Sequence, residues 1–342
     1  MTDGEFGHPR PRVVVSRCLG FEAVRYDGQL IRSRVVERLG DHADLVPVCP
    51  EMGVGLGVPR KPVRLVEGRG RLRMLQPGTG RDVTEDVEAF AEGFLGEQGP
   101  VDGFILKSRS PTCAVSDARV YGGSERGAEP RGGAGLFARA ARRRFPGAVM
   151  QDEARLTNLH LRHHFLSALF ALARFRLAAE RGCMGSLVRF QTEHKLLLMA
   201  QGARHPARLG RIAGGSPRGT TEEAIRRYRE ALGEALRHPP PAGDTANALQ
   251  HAFGYLSDGL TPRERDLFLE LLDDYRAHRV PLAALLSVLR AWTARQEEPY
   301  LEVQRFLDPY PRELLDLTDS GAGRRPRDRG VGLREGAPGH PE

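Results

Sequence analysis

Arg12-Val-Val-Val-Ser-Arg-Cys18 is the stretch that decides the fold of this chain. Its run of β-branched residues is typical of a buried β-strand, and a cysteine follows where that strand ends. The same pattern returns twice, because Leu45-Val-Pro-Val48 precedes Cys49 and Asp102-Gly-Phe-Ile-Leu-Lys107 leads to Cys113. Since successive parallel strands of an open α/β sheet end at one common edge, the three thiols are expected to lie close together.

The segments between these strands alternate between helical and extended patterns as far as Met150. Helices are predicted at residues 31–40, 83–96 and 134–145, a β-hairpin at 63–66 and 72–75, and a last strand at 148–150. Asp82 is expected to cap the second helix, because a short carboxylate can accept hydrogen bonds from the first backbone N–H groups. This βαβ order predicts an α/β fold at residues 12–151, a Rossmann-like three-layer domain with a parallel sheet between helices.

Strand signals end after Asp152. Helices are predicted at residues 153–181, 186–201, 220–237, 243–257, 262–278 and 281–297, with a short one near 300–307. The helix predicted at 262–278 has a strong start signal. It consists of Thr261, Pro262 directly after it, and Glu264 two residues later. The sequence therefore predicts an all-α domain at residues 152–318. The ends, residues 1–11 and 319–342, are expected to be disordered.

The composition indicates a soluble globular protein. The chain has 342 residues, of which 40% are hydrophobic and 28% are charged. The longest apolar stretch, 156–179, is interrupted by arginine and histidine, which argues against a membrane span. Four scattered cysteines do not form a disulfide framework, so a reducing cytoplasm is the expected location. No obligate protein partner is evident.

The basic charge is concentrated in one segment. Residues 155–212 hold ten Arg/Lys and two acidic residues, a local excess of eight positive charges. A helical segment with such an excess is expected to bind phosphate groups, although a solvated helix face is the simpler alternative.

The cysteine spacing excludes several common sites. There is no C-x-x-C pair, which argues against a zinc ribbon or a thioredoxin-type redox centre. Any one cysteine is more often a buried structural thiol, but three that follow parallel strands favour a shared site. Three thiolates with a vacant fourth position suit an iron–sulfur cluster that does chemistry other than electron transfer. Cys183, between two predicted helices, is expected to be a core residue at a helix end.

Polar groups surround the cysteines in sequence. Glu51 lies two residues after Cys49 and is a candidate acid/base residue, with a surface acid at a helix start as the alternative. Lys107, Ser108 and Ser110 precede Cys113 and are candidates for orienting or polarising a carbonyl-like group of a substrate. The glycine-rich stretch 53–57 lacks the Lys-Ser/Thr that would make it a phosphate-binding P-loop.

The three cysteine loops together resemble those of the thiouracil desulfidase family. The matching motifs are Val24-Arg-Tyr-Asp-Gly28, Val48-Cys-Pro-Glu51 with Gly55-Leu56 and Pro59-Arg60, and Leu106-Lys107 with Ser110-Pro111 and Cys113. This chain departs from the family pattern in three places. Gly20 lies one residue early, Thr112 replaces a serine, and Ala114 replaces a glycine.

The resemblance implies a cofactor and a reaction. Cys18, Cys49 and Cys113 would hold a 4Fe–4S cluster with one iron free of protein ligands. Glu51 and Ser110 fall on the family's catalytic acid/base and serine positions. Enzymes of this family remove sulfur from a thiolated pyrimidine and replace it with oxygen from water.

The second half resembles a helical module that is often fused to this desulfidase. The hallmark is Arg189-Phe-Gln-Thr-Glu-His-Lys-Leu-Leu-Leu-Met-Ala200, supported by Asn247, His251, Gly254-Tyr255 and Tyr310-Pro311. Fused proteins of this kind resemble tRNA 4-thiouridine desulfidases, which makes tRNA the expected partner and the module an RNA-binding one. The RNA-binding candidates are Arg162, Arg174, Arg176, Arg189, His194, Lys195, Arg204, Arg208 and Arg211, with His163 and His164 as secondary ones. For His194 and Lys195, a polar pair in helix packing is the alternative.

Three hypotheses remain open at this point. The first is a non-redox iron–sulfur desulfidase that acts on 4-thiouridine in tRNA. The second keeps the chemistry but takes free thiouracil, with the helical domain regulatory or oligomeric. The third is an RNA-binding accessory protein whose cysteines hold a structural metal.

Overall fold

The parallel sheet is the centre of the N-terminal half. The computed structural model describes residues 7–68, 70–122, 129–215 and 219–319. Four parallel strands have the spatial order β2-β1-β6-β9. Their bounds are Arg12–Ser16 for β1, Asp44–Val48 for β2, Gly103–Leu106 for β6 and Val149–Asp152 for β9.

The residue types explain the strand order. The central strands β1 and β6 are almost wholly buried, as expected for apolar runs covered by helices on both faces. Pro47 lies in β2, which is an edge strand, where the missing backbone N–H of proline breaks no hydrogen bond between central strands.

Helices cover both faces of this sheet. On one face, α1 (Arg34–Leu39) and the long α5 (Leu159–Glu180) pack against β1 and β6 in one apolar cluster. On the other face, α3 (Thr84–Glu97) and α4 (Leu136–Arg144) pack in a second cluster. The predicted three-layer α/β fold is confirmed, although one of its layers is completed by α5, which lies beyond residue 152.

A second, five-stranded sheet has the order β5-β4-β3-β7-β8. Its predicted hairpin is confirmed as β3 (Arg64–Gly68) and β4 (Arg71–Gln76), which pair antiparallel. The strands that the sequence analysis did not predict are β5 (Arg81–Asp82), β7 (Ala118–Tyr121) and β8 (Arg131–Gly133). The turn α2 (Pro50–Gly53) follows β2 directly. Asp82 accepts from the backbone N–H of Thr84 at 3.0 Å, close to its predicted capping role.

The second half is helical, as predicted. Beyond α5, the helices are α6 (Met184–Glu193), α7 (Lys195–Ala200), α8 (Arg204–Ala213), α9 (Thr221–Ala235), α10 (Ala242–Leu256), α11 (Pro262–Arg276), α12 (Leu282–Gln296) and α13 (Pro299–Glu302). Thr261 and Glu264 form a capping box at the start of α11. Helix α8 was not predicted.

The predicted continuous helix 186–201 is wrong, because it breaks at His194. The chain after α13 satisfies the backbone groups that this break releases. Gln304 accepts from the N–H of Leu196 at 3.1 Å and donates to the carbonyl of Thr192 at 2.8 Å. The N–H of Arg305 donates to the carbonyl of Glu193 at 2.8 Å.

The described residues include no helix that is long and apolar enough to cross a membrane. Of the predicted disordered ends, residues 1–6 and 320–342 lie outside the described residues. His8 Nε2 lies 3.2 Å from a carboxylate oxygen of Asp308, and Arg10 forms an ion pair with Asp44.

A close backbone contact joins α9 to the segment before β9, and we expect it to be sensitive to a single methyl group. A Cβ added at Gly233 would lie 2.7 Å from the Cα of Gly147, whereas one added at Gly254 in α10 would meet nothing within 4 Å. Gly233→Ala should therefore destabilise the protein by about 1–3 kcal/mol through overpacking. Gly254→Ala, the matched control, should stabilise it by up to about 1 kcal/mol through helix propensity. Urea denaturation measures both, and equal midpoints for the two variants would contradict this packing.

Candidate active site at the carboxyl edge of the parallel sheet

The three predicted cysteines lie at the carboxyl edge of the parallel sheet. Cys18 comes two residues after β1, Cys49 directly follows β2, and Cys113 lies in the loop after β6. Burial raises the pKa of Cys18 to about 12 and raises the pKa values of Cys49 and Cys113 as well. Cys49 adds to the rise in the pKa of both Cys18 and Cys113, so the three thiols lie within electrostatic reach of one another.

The loop that carries Cys113 is fixed by short-range hydrogen bonds. The hydroxyl oxygen of Ser110 accepts from the backbone N–H of Thr112 at 3.2 Å and of Cys113 at 3.1 Å. Gly135 packs against the same loop, since a Cβ there would lie 2.4 Å from the carbonyl oxygen of Thr112. The position of the thiol is therefore set by backbone contacts as well as by the strand.

Glu51 is a buried carboxylate with three donors around it. Its Oε2 accepts from Arg60 Nε at 2.8 Å and from Arg60 Nη2 at 2.7 Å, and its Oε1 accepts from the hydroxyl of Thr112 at 2.7 Å. The side chains of Arg60 and Glu51 are 4% and 12% exposed. Glu51 lies in the first turn of α2, as the surface-acid alternative supposed, but it is buried rather than at the surface.

A second acidic group lies at the end of the fourth strand. The carboxylate of Glu153 accepts from Lys107 Nζ at 2.5 Å, from the backbone N–H of Ser108 at 2.7 Å and from the hydroxyl of Ser108 at 3.0 Å. Lys107 and Glu153 both act on the pKa of Cys18, which places this cluster beside that thiol.

Residues that the sequence analysis missed complete the site. It gave no role to Arg60, which neutralises Glu51, or to Glu153. The signal for Glu153 was present, because it follows the fourth parallel strand just as the cysteines follow the other three. The pairing of Arg60 with Glu51 depends on a loop geometry that no local pattern reports.

Asp152 is a buried acid behind this site. Its Oδ1 accepts from the backbone N–H of Val115 at 3.1 Å, and its Oδ2 has no hydrogen-bond partner among the described residues. Burial raises the pKa of Asp152 to about 6, with the charges of Asp117 and Glu153 adding to the rise.

Three of the RNA-binding candidates are buried, and this corrects the sequence analysis. Arg162 donates to the carbonyls of Leu156, Thr157, Asp316 and Thr318. Arg174 donates to the carbonyl of Pro309, and burial lowers its pKa to about 9. His194 is fully buried and stacks on Phe190, so the helix-packing alternative holds for it. Of the secondary candidates in α5, His164 is buried and His163 is half-buried.

The remaining candidates lie on separate surfaces. Arg176 pairs with buried Asp102 near the amino ends of the strands, opposite the cysteines. Arg189 pairs with Glu193 at 2.7 Å. The candidates Lys195, Arg204, Arg208 and Arg211 are exposed. Cys183 is exposed at the start of α6, so the prediction of a core thiol is wrong.

Within the described ranges, no group of three His, Cys, Asp or Glu side chains is arranged to hold a metal ion.

Comparison with known proteins separates the two halves. Residues 13–153 match the family described as 2-thiouracil desulfurase, and residues 195–311 match a family described as a protein of unknown function, DUF1722. The uncharacterized protein YbgA of Escherichia coli (strain K12) is 28% identical over 158 residues, which are 46% of this chain and 93% of that protein. The uncharacterized protein YbbK of Bacillus subtilis (strain 168) is 30% identical over 119 residues, 33% of this chain and 78% of that protein.

Among solved structures, the 4Fe–4S-dependent thiouracil desulfidase TudS is 32% identical to this chain. The match covers 45% of this chain and 98% of that chain, with a TM-score of 0.37.

The pair of Glu51 and Arg60 should behave as a buried ion pair. We expect Arg60→Leu to destabilise the protein by about 3–5 kcal/mol, because it leaves a buried carboxylate without its cation. The double variant Glu51→Gln/Arg60→Leu should regain part of that loss. Arg73→Leu, which breaks the exposed pair with Asp82, is the control and should cost less than about 1 kcal/mol. Urea denaturation of the parent and the three variants measures these differences, and a double variant as unstable as Arg60→Leu would contradict the assignment.

Asp152 should make the stability of the folded protein depend on pH. Because its pKa is raised in the folded state to about 6, that state holds the proton more tightly, and stability is lost as pH rises from about 4 through 6. Asp152→Asn keeps the acceptor for Val115 and removes the charge, so it should be more stable than the parent by about 1–3 kcal/mol above pH 7. This advantage should shrink toward pH 4. Urea midpoints measured across this pH range test it, and a difference independent of pH would contradict it.

Proposed function

We propose, on the premise that this chain belongs to the 2-thiouracil desulfurase family, that it removes sulfur from a thiolated pyrimidine and replaces it with oxygen from water. The observation that carries the proposal is the convergence of three thiols and a fixed carboxylate at one edge of the sheet. Family membership supports a C–S bond-cleaving enzyme.

The cofactor in this proposal is a 4Fe–4S cluster held by Cys18, Cys49 and Cys113. When bound, it supplies one iron without a protein ligand, a soft Lewis acid for the sulfur of the substrate. The donor set fits because all three side chains are thiols, and each follows a strand of the parallel sheet at its carboxyl edge.

Glu51 is positioned to take a proton from water. A carboxylate has about four lone-pair sites, two on each oxygen. Arg60 occupies both sites on Oε2, and Thr112 occupies one on Oε1. The remaining site on Oε1 is therefore where a water molecule would donate its proton before attacking the ring carbon.

Ser110 and Lys107 have separate tasks in this proposal. The oxygen of Ser110 already accepts two backbone N–H groups, so its hydroxyl hydrogen is left to donate to a substrate oxygen or ring nitrogen. Lys107 and Ser108 are held by Glu153 beside Cys18, where a cation and a hydroxyl would orient the pyrimidine.

The finer proposal is that the pyrimidine is 4-thiouridine in tRNA. The net charge of +7 and the exposed cations of α7 and α8 support it. Free thiouracil is the second candidate. It is supported by the description of the family and by the burial of Arg162, Arg174 and His194, which removes part of the expected RNA surface.

We expect anaerobically reconstituted protein to release sulfide and to convert 4-thiouridine to uridine in tRNA. Glu51→Gln should lower kcat by about 10²–10⁴-fold, as removal of an acid/base group does, with iron content unchanged. Cys113→Ser should lose iron. The matched controls Glu37→Gln and Cys183→Ser, both at exposed positions, should behave as the parent. Mass spectrometry of the nucleosides, sulfide assay and elemental analysis are the measurements.

Two results would contradict the proposal. One is full turnover by Glu51→Gln, and the other is zinc in place of iron. Turnover of free thiouracil with no change in tRNA would select the second candidate.

A further inference from the structure

A small cavity in the helical half is lined by polar atoms without partners. It has a volume of about 30 Å³ and lies between α5, α7, α10 and α11. Among the described residues, His160 Nε2, His164 Nδ1 and Gln201 Oε1 are buried without a hydrogen-bond partner, and all three residues line this cavity. Buried polar atoms are nearly always hydrogen-bonded, so the cavity requires an occupant. Its volume suffices for a water molecule, which needs about 10–15 Å³, or for one polar group of a larger ligand.

The hydrogen-bonding roles of these atoms can be assigned. His164 Nε2 lies 3.1 Å from the carbonyl oxygen of Leu236, so that nitrogen carries the hydrogen and Nδ1 is an acceptor. Gln201 Oε1 is a second acceptor. Burial lowers the pKa values of His160 and His164, which keeps both rings neutral at neutral pH. The cavity therefore favours a neutral group with two N–H donors and disfavours ions.

The cavity adjoins a larger groove of about 420 Å³. His160, His163, Pro240, Tyr275 and Leu282 line both spaces, so the small cavity is the polar end of the groove. Volumes of about 300–1,000 Å³ are typical of small-molecule sites with apolar walls and a few placed polar groups. Aromatic rings on the wall, those of His163 and Tyr275, suit a planar ligand.

We propose that this groove binds a nucleobase that carries an exocyclic amino group, such as cytosine or adenine. The two N–H hydrogens of the amino group meet the acceptors of His164 and Gln201, and the adjacent ring nitrogen meets His160. Uracil presents a carbonyl oxygen at the corresponding position, which would face two acceptors.

The rim of the groove follows the carboxyl end of β9 closely along the chain. Asn158 and Leu159 form part of its rim, and they follow Glu153 by five and six residues. The base could belong to a free nucleoside or to an unpaired nucleotide of RNA. The RNA source rests on the proposed function, with the groove holding a nucleotide next to the one that is desulfurised.

Calorimetric titration of the metal-free full chain with cytidine, adenosine and uridine tests the proposal without any need for the cluster. We expect cytidine and adenosine to bind at least tenfold more tightly than uridine. Gln201→Leu should weaken cytidine binding at least tenfold without lowering the melting temperature, because it removes an unpartnered polar atom. Ala283→Trp, at the groove wall, should abolish binding, and His251→Phe, at an exposed position on α10, should leave it unchanged.

Competition with single-stranded oligocytidylate and oligouridylate identifies the source of the base. Displacement of cytidine by oligocytidylate alone supports the RNA source, and its absence assigns the groove to free nucleosides. Equal binding of uridine and cytidine, no binding of any nucleoside at millimolar concentration, or unchanged binding by Ala283→Trp would overturn the proposal and leave water as the occupant. If cytidine binds but no sulfide is released from any thiolated substrate, the proposed function fails and the groove assignment stands.

Discussion

The parallel register of four strands is the constraint on which the rest of the structure depends. Ser16 of β1 pairs with Val48 of β2, and Leu106 of β6 pairs with Asp152 of β9. The backbone hydrogen bonds of the sheet therefore bring the four strand ends level, and each is followed by a chemically active residue. Cys18, Cys49, Cys113 and Glu153 are distant in sequence and become neighbours only through this register.

The polar groups at this edge are organised as two separate ion pairs. Glu51 with Arg60 and Glu153 with Lys107 each place a carboxylate and a cation near the thiols without leaving a net charge. Such pairing matters in a site with little exposure to water, where an isolated charge would be costly. The two pairs approach the thiols from different loops.

The sequence was sufficient to predict the class of the fold and the place of the three thiols. Both follow from local patterns, namely apolar runs, helix caps and residues at strand ends. The RNA surface could not be predicted in this way, because the burial of Arg162 and Arg174 depends on carbonyl groups from the distant 309–318 segment. The break at His194 has the same origin, since Gln304 supplies the hydrogen bonds that replace those of a continuous helix. Glu153 follows β9 as the cysteines follow the other strands, but its contact with Lys107 and Ser108 depends on the loop after β6.

Helix α5 packs against both halves of the molecule. One side of it covers the sheet, where Leu169 lies against Gly103, and the rest of its surface packs in the helical core. A fragment cut at residue 152 would expose the sheet face that this helix protects, and a fragment that begins there would expose the other side. The connection between the two halves is thus more than a tether, because α5 contributes to the packing of both. Lengthening the chain between Glu153 and Leu159 would shift this helix relative to the sheet and disturb the packing of both halves.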